Sequence, residues 1–250
     1  MKRLLAAGAL LCCVLLGGAA NAAYVKTGNL VLKADGGFTP QQLPRQAYAP
    51  ISFKGYADLE AVDGTVPPPL TQLVLEFDRD GKLSTGGLAT CQPAALQEVT
   101  TPEARALCHG AIVGSGHVSA LVALAAQAPV HVSSPVTLFN GPRQDGKPTV
   151  IFHARTTVPA PQSLVITIPI EERRGLYRYR ATIDIPPIAD GHGSLVHLDA
   201  AVSRRYRFGG KERSYVSARC GDNVFRTHGR FTFADGTIID GEVFKGCTVR

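Results

Sequence analysis

The chain has 250 residues, of which 45% are hydrophobic and 18% charged, with a formal charge of +6 and no Trp. A chain of that size can bury a large core, and one all-β domain of that length is ordinary. The charge falls to +4 if Lys2 and Arg3 leave with an export leader, a modest excess that calls for nucleic acid only if it is concentrated in one patch.

The N-terminus has the pattern of a signal peptide. Lys2 and Arg3 precede an apolar run from Leu4 to Leu16, and Ala20-Asn21-Ala22 supplies a small-x-small cleavage site. Residues 1–22 are expected to be removed. An uncleaved anchor is the weaker reading, because the run is short for a bilayer and no later run is long enough. Cys12 and Cys13 lie inside the apolar run without the preceding small residue that lipid attachment needs. The remaining residues, 23–250, are expected to form a single all-β domain, with two packed β halves meeting near 141–148 as the open alternative. The expected location is secreted or cell-envelope.

In chain order, residues 29–34 read as a strand stopped by Asp35-Gly36-Gly37, and a Pro- and Gln-rich loop follows. Ile51 to Ala61 reads as a strand, and Pro67-Pro68-Pro69 as an extended connector. Leu73, Leu75 and Phe77 alternate as a strand, and Asp78-Arg79-Asp80-Gly81 turns the chain into Lys82-Leu83-Ser84 as a hairpin with solvated aspartates. Thr101-Pro102-Glu103-Ala104 starts a helix of at most two turns, with Thr101 as its cap and Gly110 as its stop. Ile112 to Leu124 reads as a strand with Ile112, Gly114, Gly116, Val118, Ala120, Val122 and Leu124 on one face, although Ser119 to Gln127 suits a helix as well. Val130 to Phe139, Thr149 to Arg155 and Leu164 to Ile170 are strands. In Tyr177 to Ile185 the odd-numbered residues face inward, leaving Arg178, Arg180, Thr182 and Asp184 outward. Ser194 to Phe208 reads as one long strand, turned by Gly209-Gly210 into Arg213 to Cys220. A hairpin around Asp235-Gly236 ends the chain.

Four cysteines follow the leader, and an even number in an exported chain is expected to pair. Sequence neighbours close the cheapest loops, which favours Cys91–Cys108 and Cys220–Cys247. No CxxC supports zinc or redox chemistry, and no His pair has metalloprotease spacing. No metal, cofactor or catalytic residue is assigned. Gly114-Ser115-Gly116 lacks the spacing of a nucleophile elbow. His197 and Asp199 share a strand face and are expected to be able to touch. From Val202 to Arg230 eight Lys and Arg stand against two acids. By alternation Arg178, Arg180, Arg205, Arg207, Arg213 and Arg219 would point away from the core, as a solvated face or as a surface for anionic polymers or glycans.

GLATC (Gly87 to Cys91), Cys108, GAIVGSG (Gly110 to Gly116), FNG (Phe139 to Gly141), RSYVSARC (Arg213 to Cys220) and a final Cys247 together resemble a group of uncharacterised secreted actinobacterial proteins. The resemblance implies an exported, disulfide-stabilised β protein and carries no activity or site.

The sequence therefore predicts an all-β, antiparallel β-sandwich-like fold with one short disulfide-tied helix. The expected function is that of an exported cell-envelope or extracellular binding or structural protein without catalysis, contacting anionic envelope polymers or glycans through a basic sheet face. The alternative is a secreted hydrolase of cell-wall or glycan material, which requires two carboxylates facing a cleft.

Overall fold

The computed structural model describes residues 22–157 and 160–250. The expected leader, Ala22 apart, lies outside the described residues. Twelve strands form one sheet: β1 (Ala23–Thr27), β2 (Leu30–Thr39), β3 (Ser52–Ala61), β4 (Leu70–Asp78), β5 (Ile112–Val122), β6 (Val130–Gln144), β7 (Lys147–Thr156), β8 (Gln162–Glu172), β9 (Tyr177–Asp184), β10 (Gly193–Val202), β11 (Val224–Phe233) and β12 (Ile238–Gly246). Their order is β1-β2-β3-β10-β5-β6-β7-β8-β9-β4-β11-β12, and neighbouring strands are antiparallel. Residues 141–148 form the turn region of the β6–β7 hairpin.

This corrects the expected sandwich: the sheet is a nearly closed barrel. The physical cause lies in β8. Its residues from Gln162 to Pro169 pair with β7, and its last three, Ile170 to Glu172, pair with β9. One strand thus carries the hydrogen-bonded ladder around a corner that a sandwich would leave open. At the other side β12 comes up against β1 and β2. Lys245 Nζ lies 2.7 Å from Asp35 Oδ1, and Gly241 lies so close that a Cβ there would be 3.3 Å from Ala23 Cβ. Side chains close this seam, with no β12–β1 ladder among the described residues.

The barrel is filled. Leu30 and Leu32 (β2), Leu59 (β3), Leu73 (β4), Phe231 (β11) and Ile239 (β12) pack together inside it, and Val113, Val136, Leu138 and Ala154 pack around Tyr215. Leu164, Ile166, Ile168 and Ile170 alternate toward this core as expected, joining the inner clusters with Ala181 and Ile183. Burying side chains of this size supplies about 1.5–3 kcal/mol each, the main force behind the fold.

Several local expectations shift. β2 runs through Asp35-Gly36-Gly37 instead of stopping there, because Gly36 lets it approach β3: a Cβ would lie 3.0 Å from the Lys54 carbonyl oxygen. The turn at 78–81 forms, but Gly81–Leu83 leaves the barrel and pairs with Val216–Ala218 rather than folding back on β4. The long strand expected from Ser194 to Phe208 breaks after Val202, and Arg205–Phe208 pairs with Lys211–Ser214 as a separate hairpin. The ambiguous stretch from Ser119 is strand as far as Val122. Ile112 does not share the inner face, since a register shift between Ile112 and Gly114 turns it outward to pack beside Phe139.

A short helix, α1 (Thr101–Leu107), lies outside the barrel wall. Its cap is Thr100, one residue before the expected Thr101. The Glu103 amide donates to Thr100 Oγ1 (3.4 Å), and the Thr100 amide donates to Glu103 Oε2 (2.7 Å), a reciprocal capping box. The Thr100 hydroxyl, donating to Glu103 Oε2 at 2.7 Å, and then the Thr100 amide hold the Glu103 carboxyl below the usual range. Both expected disulfides are present, Cys91–Cys108 with Cα atoms 5.5 Å apart and Cys220–Cys247 with Cα atoms 5.9 Å apart. The first ties α1 over the outward-facing Phe139 and Ile151, and the second packs with Phe38, Leu43 and Ala218.

Candidate functional site

The six arginines expected on one face are divided among three places. Between Tyr177 and Tyr179 the β9–β4 register shifts by one residue. The strict alternation is therefore lost there, and Arg178 and Arg180 meet different partners. Arg180 Nε donates to Glu76 Oε1 (3.0 Å) on the outer wall, whereas Arg178 donates to Glu172 Oε1 (2.8 Å) and to the Tyr48 hydroxyl (3.0 Å). The same shift takes Tyr177 out of the core, where the sequence placed it: its hydroxyl donates to the Glu242 carboxylate on the outer face. Burial first, and then the hydrogen bond to Glu242, raise the phenol's pKa. Arg205, Arg207 and Arg213 lie on the exposed 205–214 hairpin. Arg205 and Arg207 pair across it with Ser214 and Glu212, and Arg213 pairs with Tyr206, so adjacent positions point to opposite faces.

Arg219 instead joins Arg178. Its guanidinium carbon lies 5.4 Å from the centre of the Tyr48 ring, and Lys82 Nζ lies 5.3 Å from the same centre. Three cations from three distant segments therefore surround one half-buried tyrosine. The sequence missed Tyr48 and Lys82, since nothing local to either predicts the meeting. Arg219 is held by Asp80, whose Oδ1 accepts from its Nε at 2.7 Å and whose Oδ2 accepts from the Gly221 amide at 2.8 Å. Asp78 accepts from the Arg226 amide at 3.0 Å. Both aspartates are 2% exposed, which corrects the expectation of solvated turn residues. Burial raises the Asp78 pKa. These buried carboxylates are tolerated because backbone amides and arginines surround them.

A second arrangement spans the outer faces of β3, β10 and β5. His197 and Asp199 do touch. His197 Nδ1 lies 2.6 Å from Asp58 Oδ1, His197 Nε2 lies 3.2 Å from Asp199 Oδ2, and Asp199 Oδ2 lies 3.6 Å from His117 Nδ1. Strand register explains the chain of contacts, since Asp58 is opposite His197 and His117 is opposite Asp199. The Asp58 carboxylate, hydrogen-bonded to the ring, holds His197 above its ordinary pKa. His117 and Asp199 also line a groove of about 470 Å³ walled by Thr101 and Arg105 of α1 and floored by Ser115 and Thr137. Ser115 is two residues from His117 on the same strand face and makes no hydrogen bond to it among the described residues. A hydroxyl that is to be deprotonated must reach its base. Among the described residues no three His, Cys, Asp or Glu side chains are placed to hold a metal ion. No helix among them is long and apolar enough to cross a membrane.

A second concavity, of about 230 Å³, lies between the 85–90 segment and the β6–β7 hairpin, lined by Thr85, Thr90, Asn140, Gly141, Arg143 and Pro148.

No family model, curated protein or solved structure matches this chain. Its class is set by its own fold: an all-β, disulfide-bonded protein built on a nearly closed twelve-stranded barrel.

Proposed function

We propose that the protein is exported and acts in the cell envelope or outside the cell as a non-catalytic binding or structural module for anionic polymers or glycans. Export is supported by the basic and apolar N-terminal pattern ending at Ala22, and two disulfides suit an oxidising compartment. The observation that carries the binding reading is the convergence on Tyr48 of Lys82 and Arg219, which lie over its ring, and of Arg178, which donates to its hydroxyl. Arg178 and Arg219 each have a carboxylate partner, whereas Lys82 has none among the described ion pairs and is exposed. The cluster offers charge for an acidic group and an aromatic face for a sugar ring. The hydrolase alternative needs a free carboxylate pair. Asp58 and Asp199 are bridged by His197, so that pair is already engaged.

Retention of the purified protein on immobilised poly(glycerol phosphate) tests the reading. We expect retention to fall roughly tenfold between 50 and 200 mM salt, and Lys82→Ala and Tyr48→Ala to weaken it at every salt concentration. Retention that ignores salt, or is untouched by both substitutions, removes the reading.

A further inference from the structure

The 205–214 hairpin carries charge that the fold does not use. Arg205–Phe208 and Lys211–Ser214 form a two-stranded ribbon apart from the barrel sheet. Gly209 and Gly210 turn it with φ of 59° and 72°, the conformation that a two-residue hairpin turn needs. A Cβ built on either glycine would meet nothing within 4 Å, so the tip stands clear of the body. Arg205, Arg207, Lys211 and Arg213 are all exposed, against one acid, Glu212. Glu212 Oε1 lies 3.9 Å from Arg205 Nη1, a loose pair in water. Arg207, Lys211 and Arg213 have no carboxylate partner among the described ion pairs.

A free two-stranded ribbon is marginal in water, but this one is moored. The Tyr206 hydroxyl donates between the carbonyl oxygens of Ser84 (3.2 Å) and Gly86 (3.0 Å). At the base the Tyr215 amide donates to the Arg204 carbonyl oxygen at 2.8 Å. The ring of Phe208 rests on Gly87, where a Cβ would fall 2.1 Å from it, so only glycine leaves room. Phe208 is nevertheless 52% exposed. An aromatic side chain is thus fixed beside the turn with half of its surface in water.

These features select a partner. Cations that only blunt a ribbon edge would account for the charge, but not for a half-exposed phenyl ring seated on a glycine. Register and alternation put Arg205 and Arg207 on one face of the ribbon, and Lys211, Arg213 and Phe208 on the other. A linear polyanion lies along one face or in a groove, and neither concavity described above contains a hairpin residue. A layer of anionic headgroups, entered from the tip, supplies phosphates to both faces at once. Its acyl boundary supplies an apolar medium for the exposed part of the ring, while long Lys and Arg stems keep their charges among the headgroups. We infer that the hairpin docks the protein peripherally on a bilayer of anionic phospholipid. The inference goes beyond the polymer reading and does not depend on the Tyr48 cluster.

The test is cosedimentation of the purified protein with vesicles of phosphatidylcholine, and with vesicles of which about a third is phosphatidylglycerol. Binding should be at least about tenfold tighter to the anionic vesicles and should fall as salt rises. The neutral vesicles report whatever the apolar run from Leu4 to Leu16 contributes. Arg207→Gln with Lys211→Gln, two exposed changes that leave the core alone, should weaken binding to the anionic vesicles about thirtyfold. The chain has no Trp, so Phe208→Trp places a single indole beside the turn. Its emission should shift to the blue with anionic vesicles and stay unchanged with poly(glycerol phosphate). Equal binding to the two vesicle types, binding untouched by the double variant, or an indole that remains in water overturns the inference. Loss of polymer retention in the double variant without any vesicle binding assigns the hairpin to the polymer, and also overturns it. Lys82→Ala separates the two claims, since it should lose polymer retention and keep vesicle binding. Absent vesicle binding with Lys82-dependent retention intact overturns the hairpin inference alone.

Discussion

The barrel wall has two outer faces that solve the same problem in different ways. On β6 and β7 the outward residues Phe139, Ile151 and His153 are fully buried, because α1 and the Cys91–Cys108 loop cover them. On β4, β9, β11 and β12 no element among the described residues covers the outer face, and its centre carries charged side chains. Glu76 accepts from Arg180 and meets His228 Nδ1 at 3.1 Å, while Asp240 meets His228 Nε2 at 3.2 Å and Arg230 Nε at 2.8 Å. The first face is held by apolar burial and a covalent tie, the second by cross-strand ion pairs in water. Stability should therefore concentrate under the helix, and the open face should tolerate change.

The largest expected effect comes from the covered face. Phe139→Ala should lower unfolding free energy by about 3–5 kcal/mol, measured by denaturant titration. A loss below ~1 kcal/mol would show that the cover contributes little packing. Next is the tie itself. Cys91→Ser with Cys108→Ser opens a loop of sequence separation 17 and should cost about 3 kcal/mol. Amide exchange should accelerate over residues 91–110 before the barrel strands respond, because a two-turn helix has little stability of its own. Uniform acceleration across the barrel would mean that the cover and the wall melt as one unit. Thr100→Ala removes the capping hydroxyl of α1 and should cost about 1 kcal/mol, an effect that should vanish in the disulfide-free background if α1 is already frayed there.

On the open face, Arg230→Gln should leave the melting temperature indistinguishable from wild type, since exposed ion pairs are screened. A clear drop would promote the ladder from solvated surface to structural element. The finest comparison is in pH. Burial lowers the His153 pKa, and neither ring nitrogen makes a hydrogen bond of normal geometry. The unfolded chain therefore takes up that proton first, and stability should decline as pH falls through the ordinary histidine value near 6.5. His197, on the bare outer face of β10, is shifted the other way by Asp58. Its contribution is complete below about 6.5 and is lost as pH rises through its raised folded value. His153→Phe should flatten the acid side of the stability profile, and His197→Gln the side above neutrality. Identical profiles for both variants would refute the assignment.

Much of the local structure could be read from the residues. Period-two alternation identified β8 and the inner face of β9 from Tyr179 onward, because a strand with one buried face must alternate. Thr101, Pro102 and Glu103 announced the helix, although its cap is Thr100, and four cysteines in two close pairs announced their bridges.

The rest depended on contacts between residues far apart in the chain. Alternation records which side of a sheet a residue faces, not which strand lies beside it, so barrel and sandwich share one pattern until β8 turns the corner. A single extra residue in the β9 ladder reverses parity, which is why Arg178 and Arg180 separate and Tyr177 leaves the core. Burial of Asp78 and Asp80, and the meeting of Lys82, Arg178 and Arg219 at Tyr48, depend on where segments far apart in the chain are brought together. Local propensity has no term for that distance. It is set by the closure of the whole sheet.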